Sequence, residues 1–166
     1  MSNYNPNHMV VYLAGYISGD VIKECIEWRK RIIEHYEKWK GKERYPLIFL
    51  NPLNGEPPDK ISSDGIKGCF PPQAIFHKDI AAINKSDIIV ANMDTFGMTR
   101  PPVGTICELT LAWSKQKPII LISNDMVYKE HPFIKYFTSW QVNSVDELLE
   151  KKILNQFYKA LHTSLI

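Results

Sequence analysis

The chain has 166 residues, 45% hydrophobic and 23% charged, a length and balance that predict one globular domain over 1–166 with a sizeable core. Its formal net charge is +2 and its lysines are scattered, with no arginine-rich stripe, so neither a nucleic-acid polymer nor an anionic membrane is expected as a partner. No apolar run approaches the roughly 18 residues of a membrane helix, and the opening MSNYNPNHMVVYLAG lacks the basic and apolar regions of a signal peptide.

Residues 1–8 are expected to be flexible. MVVYLAG (9–15) is a β-branched and aromatic run ending in glycine, which predicts a buried strand. From Asp20, a candidate N-cap, Ile22, Cys25, Ile26, Ile32, Ile33 and Tyr36 recur at helical spacing to about Trp39, where Gly41 and Pro46 end the pattern. LIFL (47–50) predicts a second strand. Residues 51–72 are rich in Pro, Gly, Asn and Ser, and a loop this long in a small domain is usually functional or mobile. A helix is expected over 73–85 and a strand over 87–93. A further helix carries Glu108 from the Pro101-Pro102-Gly104 stretch to about Gln116. PIILIS (118–123) and SWQV (139–142) predict two more strands, and Ser144 opens a closing helix with Asp146 and Glu147 in its first turn.

Apolar strands alternating with helices predict an α/β fold, a three-layer domain with a parallel sheet of about five strands. Ligands of such sheets bind beyond the carboxyl ends of the strands, which here release segments 15–19, 51–72, 92–103 and 124–132.

Several side chains stand out against that frame. Glu108 lies in an otherwise apolar stretch, PPVGTICELTLAW, where a charge is costly unless paired. It reads either as a dipole-compensating residue near a helix start or as an ionised carboxylate for nucleophilic displacement at a sugar carbon. Asp79 shares a helical stripe with Phe76, Ile80 and Ile83; it is either a loop cap or the proton-transferring partner of Glu108. Tyr12 alternates with Val10 and Ala14, and its hydroxyl needs a partner such as a carboxylate if buried. Asp87 reads as a turn-former, whereas Asn92 and Asp94 leave the third strand towards the crevice. Gly15 and Gly19 do not compose a GxGxxG or Walker loop, although Ser18, Gly19 and the helix start suit one phosphate. Trp113 and Trp140 read as core residues. Cys25, Cys69 and Cys107 are odd in number and lack CxxC spacing, which argues against a disulfide framework or zinc site and for a reducing, cytoplasmic setting. The five histidines have no metal-ligand spacing either, so no metal is expected.

The stretches VYLAGYISG, FLNPLNG, HKDIAAINKSDIIVANMD and VGTICELTLAWSKQKPIILIS, in this order, resemble the nucleoside 2-deoxyribosyltransferase family. They span most of residues 9–123, and the glycine–x–x–x–glutamate segment from Gly104 to Glu108 is the most specific part. The resemblance implies a flavodoxin-like sheet and cleavage of the N-glycosidic bond of a deoxyribonucleoside, as in nucleotide salvage. It assigns Glu108 as the nucleophile forming a glycosyl-enzyme, Asp79 as proton donor and base-site residue, and Tyr12 as the group that positions Glu108. A free nucleobase then takes the sugar, with no cofactor. A homo-oligomer is also implied, because a neighbouring subunit often completes the family's site. One departure is Pro102, which stands where many members have a base-contacting aspartate. The alternatives are hydrolysis of a nucleoside 5′-monophosphate with water as acceptor, or a catalytically silent nucleotide-binding protein.

Overall fold

Alternation along each strand decides which face of the sheet a side chain serves. The computed structural model describes residues 8–38, 46–65 and 67–162. In β1 (Met9–Gly15), Val11 and Leu13 point to one core while Tyr12 and Ala14 point to the other. The same division holds in β3 (Ile88–Asn92) and β4 (Ile119–Ile122), with Ile88, Val90, Ile120 and Ile122 on the first face and Ile89, Ala91, Ile119 and Leu121 on the second. With β2 (Leu47–Leu50) and β5 (Trp140–Val142) these strands form one five-stranded sheet, parallel throughout, in the order β2-β1-β3-β4-β5. This is the flavodoxin-like order, and the direction of winding reverses between β1 and β3. A crevice therefore opens beyond Gly15 and Asn92, which pair at the carboxyl end of that seam.

Helices cover both faces. Trp28, Ile32 and Tyr36 of α1 (Ile22–Glu37) pack with Val145 and Leu148 of α6 (Val145–Glu150) and Ile153 and Leu154 of α7 (Ile153–His162). The opposite face receives Ile83 of α2 (Pro72–Lys85), Leu109 and Ala112 of α3 (Val103–Ser114) and Ile134 of α5 (Pro132–Phe137). A single turn, α4 (Met126–Lys129), precedes α5.

Several boundaries differ from expectation. Asp20 is not the cap of α1: residues Gly19–Val21 form a 3-10 turn, Val21 is the N-cap, and Asp20 is exposed. The cause lies in Gly19, whose backbone N–H donates to Ser62 O at 2.8 Å and tightens the chain before the helix starts. The flexible start expected over 1–8 lies, apart from His8, outside the described residues, as does the helix end expected at Trp39 and Gly41. The closing helix breaks in two at Lys152, whose φ of +49° cannot continue a helix. Ser144 does cap its first half, accepting from Glu147 N at 3.2 Å. Trp113 and Trp140 are not core residues. They are 52% and 38% exposed: Trp113 lies outside the buried stripe of α3, beside Phe137, and Trp140 shares the face of Val142 but stands at the start of the edge strand β5, beside Phe157 of α7. Among the described residues, no helix is long and apolar enough to cross a membrane.

Candidate active site

The pleat of β1 fixes the floor of the crevice. Tyr12 faces the α2–α3 side, is fully buried, and donates its hydroxyl to Glu108 Oε1 at 2.6 Å. Glu108 is held there by its helix: Thr105, Leu109 and Ala112 of α3 are buried, and Glu108 lies beside that stripe, partly open to the crevice. Asp79 comes from α2 on the facing wall, together with Ile75, Ile80 and Ile83. Asp79, Glu108 and Gly104 line one cavity of about 440 Å³, which is walled chiefly by aliphatic and aromatic side chains. That volume lies within the usual range for a small-molecule site.

A low-dielectric wall makes charge expensive, and both carboxyls show it. Burial, reinforced by the neighbouring Asp79 charge, pushes Glu108 up to about 8, against the opposing pull of the Tyr12 hydroxyl and the Arg29 guanidinium. Burial likewise pushes Asp79 up to about 6, opposed chiefly by Lys78. The Tyr12 hydroxyl is raised well above its ordinary value by burial and by the Glu108 charge. The helix end does little for Glu108, which is the sixth residue of α3 and lies past the first turn where the dipole acts. Two adjacent carboxyls with raised affinity for protons retain one proton between them near neutrality. Such a pair supplies an ionised group and a protonated group at the same pH.

Of the other candidate ligand-binding residues, Gly104 lines this cavity, and so does Cys107. A Cβ on Gly104 would meet nothing within 4 Å. Gly15 serves packing instead: a Cβ would lie 2.8 Å from the Trp28 ring and 3.1 Å from Asn92 O. Ser18 is fully buried and donates its Oγ to Ser63 O, so Ser18 and Gly19 are engaged with the 61–65 loop. Asn92 Oδ1 accepts from Asp94 N and Asp94 Oδ1 from Phe96 N, two side-chain turns that carry the chain away from β3. Asp87 Oδ2 accepts from Val10 N at 2.8 Å and ties the start of β3 to β1. Pro102 is buried at the N-cap of α3.

Three residues at or near the site escaped the sequence reading. Glu56 and Lys78 line a smaller cavity that shares Asp79 and Gly65 with the first. Glu56 Oε2 accepts from Cys69 N at 2.8 Å, while its enclosed Oε1 has no hydrogen-bond partner among the described residues and lies 4.0 Å from Lys78 Nζ. Asp79 Oδ1 is likewise enclosed without a hydrogen-bond partner among the described residues. Nothing in the composition of the 51–72 loop marks Glu56. The third residue is Arg29, fully buried in α1 beneath the end of β1. It did carry a signal, since it falls four residues after Cys25 on the buried stripe of α1.

A flavodoxin-like sheet whose switch-point crevice gathers two carboxyls and a tyrosine around one cavity defines the protein as an α/β domain of the flavodoxin-like class. The chain belongs to the nucleoside 2-deoxyribosyltransferase family, whose sequence profile matches residues 11–150. Membership implies chemistry at an N-glycosidic bond, by transfer or by hydrolysis, and a nucleoside or nucleotide as ligand. Among solved structures, it is similar to a conserved protein from Enterococcus faecalis V583, at 16% identity and a TM-score of 0.61 over 89% of this chain and 99% of that one. It is also similar to a Clostridium botulinum CMP N-glycosidase, at 19% identity and a TM-score of 0.50 over 87% and 98% of the two chains. A 2-desoxiribosyltransferase from Leishmania mexicana shares 24% identity, with a TM-score of 0.47 over 73% of this chain and 70% of that one. At these identities the likeness concerns the fold. Among curated proteins, none matches.

Proposed function

We propose that the protein cleaves the N-glycosidic bond of a 2′-deoxyribonucleoside through a glycosyl-enzyme on Glu108 and passes the sugar to a second nucleobase. The observation that carries this reading is the Tyr12–Glu108 hydrogen bond at the floor of a cavity that Asp79 also lines. In the reaction Glu108, ionised, attacks the anomeric carbon as the bond to the base breaks, and Asp79 delivers its proton to the departing ring. An incoming base, losing its proton to Asp79, then displaces Glu108, and two inversions give net retention. Tyr12 holds the attacking oxygen in place. Glu56 Oε1 and Asp79 Oδ1, which accept no hydrogen bond among the described residues, suit the N–H groups of a nucleobase, a role that Pro102 has no side-chain donor or acceptor to fill.

Hydrolysis of a 5′-monophosphate is the competing reading. Ser18 and Gly19, the atoms suited to a phosphate, are already bonded to Ser63 and Ser62, which favours the nucleoside. A homo-oligomer is part of the proposal, supported by the exposed Val127, Phe133 and Tyr136 beside the α3–α5 face.

Incubation with deoxynucleosides, with and without a free base, tests the reaction: base exchange is expected, and release of sugar at equal rates in both mixtures would replace transfer by hydrolysis. A slow 2-fluoro nucleoside is expected to leave its sugar on Glu108 by mass spectrometry. An adduct elsewhere would end the mechanism. Light scattering that finds only monomer at micromolar concentration would remove the oligomer.

A further inference from the structure

A guanidinium enclosed in a protein is costly unless its protons and charge find partners. Arg29 is fully buried, yet no carboxylate among the described residues forms an ion pair with it. Its protons go to backbone carbonyls: Nε donates to Leu13 O at 3.2 Å, Nη1 to Cys25 O at 2.6 Å and Nη2 to Gly15 O at 3.0 Å. Its carbon also lies 4.4 Å from the centroid of the Trp28 ring. Leu13 and Gly15 belong to the end of β1, immediately beyond Tyr12, and Cys25 belongs to α1. The fork therefore joins the strand that carries Tyr12 to the helix behind it. Only a rigid, planar donor serves carbonyls on two elements in this way; a lysine ammonium presents its protons from one point.

We propose that Arg29 is a positioning residue of the site, clamping the carboxyl end of β1 so that Tyr12 meets Glu108, and supplying a fixed enclosed positive charge that favours the Glu108 carboxylate. The charges that bear on Glu108 come from several elements: Asp79 on α2 opposes its ionisation, while Tyr12 on β1 and Arg29 on α1 favour it. Asp79 is in turn influenced by Lys78 and by Glu56 from the loop. Arg29 interacts more strongly with Glu108 than with Asp79. The pair's proton rests on Glu108, the group with the higher proton affinity, and the Arg29 charge works against that placement, easing transfer to Asp79 and so the distribution that attack by Glu108 requires. This inference rests on the proposed role of Glu108, but its test does not depend on turnover.

The test is a carbon-13 NMR titration of the Glu108 and Asp79 carboxyls in the full chain, in wild type, Arg29→Met and Arg29→Lys. In Arg29→Met the Glu108 midpoint is expected to rise by half a pH unit or more, and by more than that of Asp79. A folded Arg29→Met protein with an unchanged Glu108 midpoint would overturn the electrostatic role. Arg29→Lys keeps the charge and loses the fork, so the Glu108 midpoint is expected to stay near wild type while the downfield Tyr12 hydroxyl proton broadens or moves upfield. An unaltered hydroxyl proton in Arg29→Lys would overturn the clamp, and this reading remains decisive if Arg29→Met does not fold. Failure of wild type to turn over any nucleoside would count against the proposed function and leave these titrations valid.

Discussion

Replacing Glu108 by Gln should stabilise the protein at alkaline pH. The unfolded chain releases the Glu108 proton near the ordinary value of 4.5, whereas the folded chain holds it to about 8. Between those values the folded state binds more protons, so stability falls as pH rises through the window and levels off above it. The full displacement sets an upper bound of about 5 kcal/mol at pH 9, since one pH unit corresponds to about 1.4 kcal/mol. Solvent at the cavity mouth screens part of this, leaving about 2–3 kcal/mol. A glutamine has the same shape, can still accept from Tyr12 and has no such penalty. For a chain of this size the difference amounts to roughly 5–10 °C in Tm. Thermal scans of both proteins from pH 4 to pH 9 should lie closest at pH 4, separate progressively from about pH 4.5 to about pH 8 and keep a constant gap above it, with Glu108→Gln the more stable. Asp79 titrates in both proteins and cancels to first order. A gap of the same size across the whole range, or a less stable Glu108→Gln at pH 9, would refute the reasoning.

The dependence of kcat/KM on pH should be a bell with limbs near 6 and 8, because one proton must remain on the pair; a profile still rising at pH 9 would reject a protonated Asp79 as the acid. Tyr12→Phe removes a hydrogen bond to a charge, so the rate should fall about 10- to 100-fold and the Glu108 titration should move upward, read by kinetics and carbon-13 NMR. Asp79→Asn should lose on the order of 10²–10⁴ in kcat, and much less with bases that depart unprotonated, as a comparison of leaving groups would show. Glu56→Gln keeps the acceptor oxygen but adds donors, so the preference among nucleobases should change more than the rate with the best one; unaltered relative kcat/KM values would remove Glu56 from base recognition.

The sheet was legible because its signals are local and redundant. Each of the apolar runs at 9–15, 47–50, 87–93 and 118–123 contains a strand, and the period changes between them mark the helices. Glu108 and Asp79 were legible for the opposite reason, as charges placed where burial makes them costly. What could not be read depended on contacts between distant segments. The 3-10 turn at Gly19 exists because Ser62 accepts its N–H, and no pattern in residues 15–25 encodes that partner. Glu56 acquires meaning only when the 51–72 loop folds against Asp79 and Lys78. Trp113 was misread because aromatic residues are usually buried, whereas its position on α3 is set by the stripe that holds Glu108 and Leu109 inward.

That stripe also explains why the site is built from α2 and α3 rather than from the loops alone. Carboxyls on loops can turn to solvent and recover their ordinary pKa values, whereas groups fixed on packed helices must keep the environment the core imposes. Asp79 and Glu108 face each other across a largely apolar cavity because Ile83 on one helix and Leu109 and Ala112 on the other are locked against the same sheet face as Tyr12. Moving the carboxyls apart to relieve their repulsion would require unpacking that layer. The shared proton is therefore a consequence of the fold. On the proposed mechanism, a bound nucleoside would resolve the tension without moving either helix: positive charge developing at the anomeric carbon favours ionised Glu108, and negative charge on the departing base takes the proton from Asp79. Substrate analogues that carry a fixed positive charge at the sugar should accordingly bind more tightly as pH rises through the upper limb, when Glu108 has lost its proton.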